Sequence, residues 1–336
     1  MVTFQRKIIY MGYAPIGARN EQLKDVPKAL LDGLSCEEVE ISGSDGVKLA
    51  GIEVSQEQTQ AASPPTILLY LQGNAGNPLH RLPIFQTLLH HKSSASKPLK
   101  VLSVAPRSYW KSTNRRPTQV GILSDYTHII HHTLRSYPQS PIILYGHSLG
   151  GSIAVCLLAH LDKLKRESAV KQVGYSRIRG FILENPFSSI PNMVRALYPQ
   201  PWLPYHYLAP LALDKWDAYQ ALKETTALSI LDPNVEGGEV TASVLGRVAK
   251  DMLVLVSEND ELVPSSMGRV LFDASKDGRN MENVGDEAGL GRVKVVRGAL
   301  HEDMWRKWEW EKFVWGYIES VEKRWDVESD LTANDS

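Results

Sequence analysis

Residues 141–151 read Pro-Ile-Ile-Leu-Tyr-Gly-His-Ser-Leu-Gly-Gly, and this stretch decides the fold. The apolar run at 142–144 is typical of a central strand covered on both faces. A helical pattern follows at once, over residues 149–166. The Gly-x-Ser-x-Gly string therefore lies on a strand-to-helix turn, where glycines are needed because neighbouring backbone packs too close for Cβ atoms. Ser148 should stand above the edge of a sheet, at a helix N-terminus that favours negative charge.

Outward from this turn, short apolar runs alternate with amphipathic segments. The runs that predict strands are residues 38–41, 47–54, 66–71, 100–104, 141–145, 178–183, 252–256 and 293–296. The segments that predict helices are residues 79–91, 119–136, 149–166, 265–274 and 303–323. The first two runs favour an antiparallel hairpin, and from Thr66 onward the alternation implies crossover connections. The predicted fold class is α/β, with a mostly parallel eight-stranded sheet and helices on both faces.

Residues 188–250 break the alternation. Prolines alternate there with the aromatic residues Trp202, Tyr205, Tyr207 and Trp216, and a polar stretch follows over residues 232–241. A segment of this kind between two core strands predicts a small cap over the carboxyl edge of the sheet. We therefore expect a single domain over residues 1–325 and a disordered polar tail over residues 326–336.

The composition of the chain argues against some classes of function. Of 336 residues, 43% are hydrophobic and 22% charged, and the net charge is −1. Such a balance gives no field that would attract nucleic acid. No apolar run reaches the roughly 18–20 residues of a membrane span, and the N-terminus lacks a signal-peptide run. We expect a soluble, cytoplasmic protein whose apolar N-terminal residues pack on the core, with peripheral membrane contact as the alternative.

Cysteine usage and motif content argue against a cofactor. Cys36 and Cys156 are too few for a disulfide framework and fit a reducing compartment. Cys156 lies in an apolar helical stretch and is interpreted as a small core residue. Since no metal-ligand cluster, phosphate loop or nucleotide fingerprint accompanies the Ser148 motif, we expect neither a cofactor nor a metal.

A serine hydroxyl needs a base to act as a nucleophile at neutral pH, and the chain offers ten histidines. His301 is the predicted general base because it follows the last strand run, on the same sheet edge as Ser148. His147 adjoins Ser148, but its side chain should point away along the turn. His206, in the cap, remains an alternative.

The carboxylate that orients the base should come from another strand end. Asp260 follows the run at 252–256 and can accept the second imidazole N–H, which fixes the tautomer and stabilises the imidazolium. The chain order Ser148, Asp260, His301 suits a catalytic triad on this type of sheet. The alternatives to Asp260 are Glu258, Glu261 and Glu184.

A tetrahedral intermediate also needs donors for its oxyanion. The backbone N–H of Leu149, directly after Ser148, is one candidate. The loop at residues 72–77 reads Gln-Gly-Asn-Ala-Gly-Asn, and its glycines let the backbone approach a ligand closely. The N–H of Asn74 is the second predicted donor; alternatively, the loop is a glycine turn without a catalytic part.

Together these motifs resemble the α/β-hydrolase superfamily, and within it the bud-emergence-type hydrolases and the abhydrolase-domain proteins that include protein depalmitoylases. The segments that carry the resemblance are residues 45–49, 72–77, 146–150, 184–187, 260–264 and 301–303. The resemblance runs from about residue 4 to residue 315. It implies Ser148, Asp260 and His301 as the triad, and the Asn74 and Leu149 N–H groups as the oxyanion hole.

The chain departs from the family pattern in three places. Gln72 stands where the family usually has His. Residues 107–110 read Arg-Ser-Tyr-Trp in place of Arg-Gly-Tyr-Gly, which changes the accessible backbone angles and should bring an indole near the pocket. The stretch at residues 223–250 is longer than the usual connection. Membrane-anchored members also carry an N-terminal hydrophobic segment that this sequence does not show.

The favoured function is hydrolysis of a carboxylic ester or thioester through an acyl-enzyme. The aromatic residues of the cap suggest either an apolar substrate or a packed lid floor. One alternative function is an acyltransferase, or a product-releasing hydrolase in a biosynthetic pathway. Another is a catalytically silent interaction protein on a hydrolase scaffold, against which the intact Ser, Asp and His argue.

Overall fold

An eight-stranded sheet forms the centre of the computed structural model, which describes residues 5–57, 63–91, 97–167, 174–200, 202–203, 207–231, 243–276 and 292–334. The strands are β1 (Leu34–Ser42), β2 (Lys48–Gln56), β3 (Thr66–Leu71), β4 (Leu99–Val104), β5 (Ile142–His147), β6 (Ile178–Glu184), β7 (Leu253–Ser257) and β8 (Arg292–Val296). Their spatial order is β1-β2-β4-β3-β5-β6-β7-β8. The prediction of an eight-stranded α/β sheet is confirmed.

The direction of the strands follows the sequence pattern. β1 pairs with β2 as an antiparallel hairpin, and β2 is antiparallel to β4. From β4 to β8 each neighbouring pair is parallel. All residues of β3 and β5 are buried, because both faces of a central parallel strand are covered by helices. The carboxyl ends of β5, β7 and β8 consequently meet at one edge of the sheet.

Helices surround the sheet. They are α1 (Gln5–Ile9), α2 (Leu82–Leu89), α3 (Gln119–Ser136), α4 (Leu149–Glu167), α5 (Ile190–Leu197), α6 (Ala218–Leu231), α7 (Val244–Ala249), α8 (Ser265–Ser275) and α9 (Trp308–Asn334). α2, α3, α4, α8 and α9 pack directly on strands. None of the helices within the described ranges is both long and apolar enough for a bilayer crossing.

The region expected to be a cap contains helices that the sequence pattern does not predict. Pro191 lies in the first turn of α5, where its missing N–H is no loss, and the Ser189 hydroxyl caps the helix by accepting the Asn192 N–H at 3.2 Å. α5 lines the pocket above Ser148, whereas α6 and α7 pack against α4. The whole polar stretch at residues 232–241 lies outside the described residues, as do Tyr205 and His206.

The prediction of a disordered tail from residue 326 is wrong for residues 326–334, which continue α9. The side chains of Asp326 and Glu328 form ion pairs with Lys97 and Arg179, respectively. These ion pairs stabilise the helix beyond the end of its buried apolar face. The polar composition of the segment does not predict such pairs. The last two residues lie outside the described part.

Candidate active site

Ser148 lies on the sharp turn that joins β5 to α4. Its φ is 52°, in the left-handed region that residues with a Cβ atom rarely adopt. The Ser148 N–H donates to the Glu184 carbonyl oxygen at 2.8 Å, which ties the turn to the end of β6. A Cβ atom on Gly146 would lie 2.6 Å from the Gly150 carbonyl oxygen, and one on Gly150 would lie 2.1 Å from the Leu71 carbonyl oxygen. Close backbone contact therefore demands the glycines of the motif.

His301 and Asp260 meet behind this turn. The imidazole Nδ1–H donates to Asp260 Oδ2 at 2.8 Å, and the two side chains are only 3% and 2% exposed. The other oxygen of the Asp260 carboxylate accepts the backbone N–H groups of Leu262 and Val263 at 2.8 and 2.7 Å. With Nδ1 occupied, Nε2 is the ring nitrogen left to exchange a proton with a substrate or nucleophile.

The other carboxylates considered from the sequence have different partners. Glu261 accepts the backbone N–H of His301 at 3.0 Å, and Glu258 accepts the Gly298 N–H at 2.8 Å. Glu184 is buried and accepts the Trp310 indole N–H at 2.9 Å. Among these candidates, only Asp260 is hydrogen-bonded to the His301 imidazole. The alternative base, His206, lies outside the described residues.

Two residues that are not members of the predicted triad contact the backbone of His301. The Asn185 side-chain amide donates to the His301 carbonyl oxygen at 3.0 Å, and to the Ser257 hydroxyl at 2.9 Å. His147, which is 1% exposed, places Nε2 3.2 Å from the same carbonyl oxygen. The Glu-Asn-Pro-Phe segment at residues 184–187 was the available sequence signal for Asn185. The His147 side chain reaches the His301 loop, a contact that the sequence does not indicate.

The charges around His301 shift its titration. Burial lowers the pKa of His301, but the hydrogen bond and charge of Asp260, together with the Glu302 charge, raise this pKa above its ordinary value of 6.5. Burial raises the pKa of Glu302, whereas His147 and the Arg81 guanidinium lower it more strongly, to about 2. Glu302 is consequently ionised at neutral pH, beside the imidazole.

A pocket of about 220 Å³ opens above the turn. Ser148, Leu149, Asn74 and His301 all line it, so the structure brings these four predicted residues together. Asp260 lies behind His301 and does not line the pocket. The remaining wall consists of the charged Glu302 after β8 and of apolar residues from α1, α5 and the segments after β6 and β7: Ile8, Ile9, Phe187, Ile190, Met193, Val194, Leu197, Leu262 and Val263.

The loop after β3 is tied to the N-terminal arm, residues 5–21. The Asn74 carbonyl oxygen accepts the Met11 N–H at 2.7 Å and the Tyr109 hydroxyl at 3.0 Å. The Gly76 N–H donates to the Ala14 carbonyl oxygen at 2.7 Å. The arm therefore fixes the conformation of the loop that carries the second predicted oxyanion donor, a role that no sequence motif indicates.

The departures from the family pattern have visible consequences. Ser108 and Trp110 have φ values of 67° and 41°, the conformations that glycine would adopt without strain. The expectation that the indole lies near the pocket is wrong: Trp110 is buried against the N-terminal arm, where Nε1–H donates to the Glu21 carbonyl oxygen at 2.9 Å. Gln72 is buried, and its side-chain amide lies 3.4 Å from the Gly76 carbonyl oxygen, within the same loop.

One group of side chains in the described ranges has metal-ligand chemistry. Donor atoms of His147, His301 and Glu302 lie within 4.8 Å of one another. Two of them already have partners, because Glu302 pairs with Arg81 and the His301 imidazole with Asp260. The guanidinium beside Glu302 opposes the binding of a cation there.

Known proteins with similar sequences include protein bem46 and a lysophosphatidylserine lipase. Protein bem46 of Schizosaccharomyces pombe is 26% identical over 241 residues, which cover 70% of this chain and 71% of that protein. The lysophosphatidylserine lipase ABHD12 of Danio rerio is 24% identical over 229 residues, 67% of this chain and 51% of the relative. The chain thus spans about half the length of that relative. No protein-family model matches it.

Solved structures share the fold. A Pyrococcus furiosus esterase superimposes with a TM-score of 0.53 and 17% identity, covering 89% of this chain and 94% of the other. Est1E from Butyrivibrio proteoclasticus gives a TM-score of 0.51 and 14% identity, covering 86% and 99%. Both match the arrangement of sheet and helices described above.

Proposed function

We propose that the chain is an esterase-type α/β-hydrolase of the bud-emergence and abhydrolase-domain type, which its similarity to protein bem46, to ABHD12 and to solved esterases supports, and that it cleaves a carboxylic ester or thioester with Ser148 as nucleophile. The observation that carries this proposal is the 2.8 Å hydrogen bond between His301 and Asp260, beside a strained serine in the same pocket. Each of the three groups comes from a different strand end. Such an arrangement suits proton transfer from a hydroxyl to an oriented imidazole.

The reaction would proceed in two halves. The Ser148 hydroxyl attacks the acyl carbon while His301 Nε2 takes its proton, and Asp260 stabilises the resulting imidazolium. The tetrahedral intermediate collapses when His301 protonates the departing alcohol or thiol, which leaves an acyl-enzyme. His301 then takes a proton from a water molecule as its oxygen attacks the acyl carbon. The second tetrahedral intermediate collapses when the imidazolium gives this proton to Ser148 Oγ, which releases the acid and restores the free hydroxyl and the neutral imidazole.

The negative charge on the intermediate needs fixed donors. The proposed donors are the backbone N–H groups of Leu149 and Asn74, and both residues line the pocket. Leu149 begins α4, and the partial positive charge at a helix N-terminus favours an oxyanion there. In other enzymes the loss of one such donor costs about 10²–10³-fold in turnover.

The relatives and the pocket both bear on the substrate class. A relative named as a lysophosphatidylserine lipase acts on an acyl ester of a lipid, and the wall of the Ser148 pocket is mostly apolar. We infer a substrate with an apolar portion and no cofactor requirement. A cytoplasmic location and the absence of a nucleic-acid partner stay predictions of the sequence.

The test is labelling with a fluorophosphonate probe, together with hydrolysis of activated esters and thioesters. We expect both signals in the native chain and neither in Ser148→Ala. Ser320→Ala, a substitution of another serine on α9, is the matched control and should keep both. Folded native protein that stays unlabelled while a reference serine hydrolase reacts would end the enzyme proposal. Labelling that survives in Ser148→Ala would refute the assignment of the nucleophile.

A further inference from the structure

A second pocket, of about 160 Å³, adjoins the Ser148 pocket. The two share the lining residues Ile8, Ile9, Ile190, Val194 and Leu197, so they lie side by side, and together we call them the apolar groove. Leu211 and Ala212 line only the second pocket, which has no charged side chain in its lining. A charged or strongly polar ligand would lose its hydration there without finding a partner.

One wall of the apolar groove is the helix α5. Its apolar residues Ile190, Met193, Val194 and Leu197 recur at the spacing that places side chains on one helix face. None of the residues of α5 is buried, and Leu197 is 48% exposed. The apolar face of α5 is thus directed at the groove and is only partly covered by the described part of the chain. Apolar surface left open beside a reactive serine suits an apolar ligand.

The opposite wall is the N-terminal helix α1. Ile8, which is 59% exposed, projects its side chain into the groove lining, and Ile9 is buried beneath it. Polar bonds fix the helix in place: Arg6 pairs with the buried carboxylate of Asp214 at 2.6 Å, and Gln5 accepts the Leu213 N–H at 2.7 Å. The wall is consequently a built part of the fold and not a loosely attached end.

Resting on the proposed function, we propose that the apolar groove holds a linear hydrocarbon chain of the ester substrate while its carbonyl group lies at Ser148. Leu197, which lines both pockets, and Ala212, which lines only the second, then determine which chain lengths are accepted. The hydrocarbon is either the acyl chain or the chain of the departing alcohol, which share the same chemistry. Each methylene group buried in the groove strengthens binding in the transition state.

The experiment measures kcat/KM for p-nitrophenyl esters from acetate through butyrate to decanoate, and in parallel for ethyl, butyl and decyl acetate. In the native chain we expect the ratio of the longest to the shortest member to be at least about tenfold in one of the two series. The series that shows the rise identifies whether the acyl or the alcohol chain occupies the groove.

Indole side chains placed in the groove locate the chain. Ala212→Trp should lower the preference for decanoate (or decyl) over butyrate (or butyl) by about tenfold, because Ala212 lines the second pocket and not the Ser148 pocket. Leu197→Trp should remove the preference for butyrate (or butyl) over acetate (or ethyl) as well. Val270→Trp on α8 is the matched control, since Val270 is an exposed apolar residue outside both pockets, and it should keep the native ratios.

Two negative results have different meanings. If esters are hydrolysed but neither series depends on chain length, or if neither groove variant changes the ratios, the apolar groove is not the chain site, and the proposed function stands. If no ester is hydrolysed and Ser148 is not labelled, the proposed function itself fails, and the groove proposal fails with it. Circular dichroism of each variant verifies that the fold is intact.

Discussion

The two sides of the Ser148 pocket are built in opposite ways. On the catalytic side, the side chains of His301 and Asp260 are almost completely buried; the Asn185 side chain holds the His301 backbone, and backbone N–H groups hold the Asp260 carboxylate. On the substrate side, the helix α5 has no buried residue and α1 leaves Ile8 exposed. Buried polar groups tolerate little displacement, because an unsatisfied partner costs a full desolvation penalty. Exposed apolar side chains carry no such penalty when they move. We therefore expect the catalytic groups to keep one geometry, whereas the apolar walls can change and so alter which substrates are accepted.

The largest expected effect lies on the catalytic side. Asp260→Asn should lower kcat by about 10³–10⁴-fold, because the amide cannot stabilise the imidazolium and favours the wrong tautomer. If the catalytic side is independent of the substrate side, the loss should be equal for short and long esters. The measurement is kcat for the acetate and decanoate esters of p-nitrophenol.

The control for that substitution is Glu261→Gln. Glu261 contacts only the backbone N–H of His301, so its variant should lose far less activity. A loss in Glu261→Gln as large as in Asp260→Asn would mean that the position of the loop, and not the charge on the imidazole, is what matters. If the loss of kcat in Asp260→Asn differed between short and long esters, the catalytic side and the substrate side would not be independent.

An intermediate effect is expected at the turn that supports Ser148. Gly150→Ala would place a methyl group 2.1 Å from the Leu71 carbonyl oxygen, so the backbone must shift. We expect a loss of about 1–3 kcal/mol in the free energy of unfolding, measured by chemical denaturation. Gly316→Ala on α9 is the matched control, because a Cβ atom there meets nothing within 4 Å. It should stabilise the helix by about 0.5–1 kcal/mol; equal losses at both positions would contradict the role of close packing.

The smallest effect concerns Glu302, which lies where the two sides meet. His301 must be neutral to act as a base, so kcat/KM should rise with pH through its pKa, which lies above 6.5. The Glu302 charge contributes to this raised pKa. Glu302→Gln should therefore move the acidic limb of the pH–kcat/KM profile to lower pH, by a small amount because the Glu302 side chain is 54% exposed.

Glu309→Gln serves as the control for the pH profile, since Glu309 contacts the Arg297 backbone and not the imidazole. Its acidic limb should coincide with that of the native chain. A limb that moves to higher pH in Glu302→Gln would show that the carboxylate does not stabilise the imidazolium. The same raised pKa means that the His301–Asp260 pair stabilises the fold fully below pH 6.5 and loses that contribution as pH rises through the folded-state pKa.

Many strands and helices of the core were predicted from the local sequence pattern. Residues 66–71 and 119–136 form the predicted strand and helix with the predicted ends, since buried apolar runs and one-sided helical spacing are local properties. The cap helices and the end of α9 did not follow, because short proline-rich helices and polar tails depend on tertiary partners such as Lys97 and Arg179. The sequence also did not predict that the N-terminal arm fixes the loop after β3. This contact consists of main-chain hydrogen bonds, which depend on no particular side chain.

The sequence alone determined the α/β class, the glycine-bounded turn at Ser148 and a histidine and carboxylates at later strand ends, because each depends on short-range spacing and on the rule that parallel strands end at one edge. The sequence favoured Asp260 but left Glu258 and Glu261 open, and only the tertiary structure shows that Asp260 is the one hydrogen-bonded to the His301 imidazole. Those three carboxylates lie within four residues of one another, and the fold of the loop decides which one faces the imidazole. The apolar groove likewise exists only in three dimensions, because α1 and α5 are about 180 residues apart in the chain and meet through packing alone.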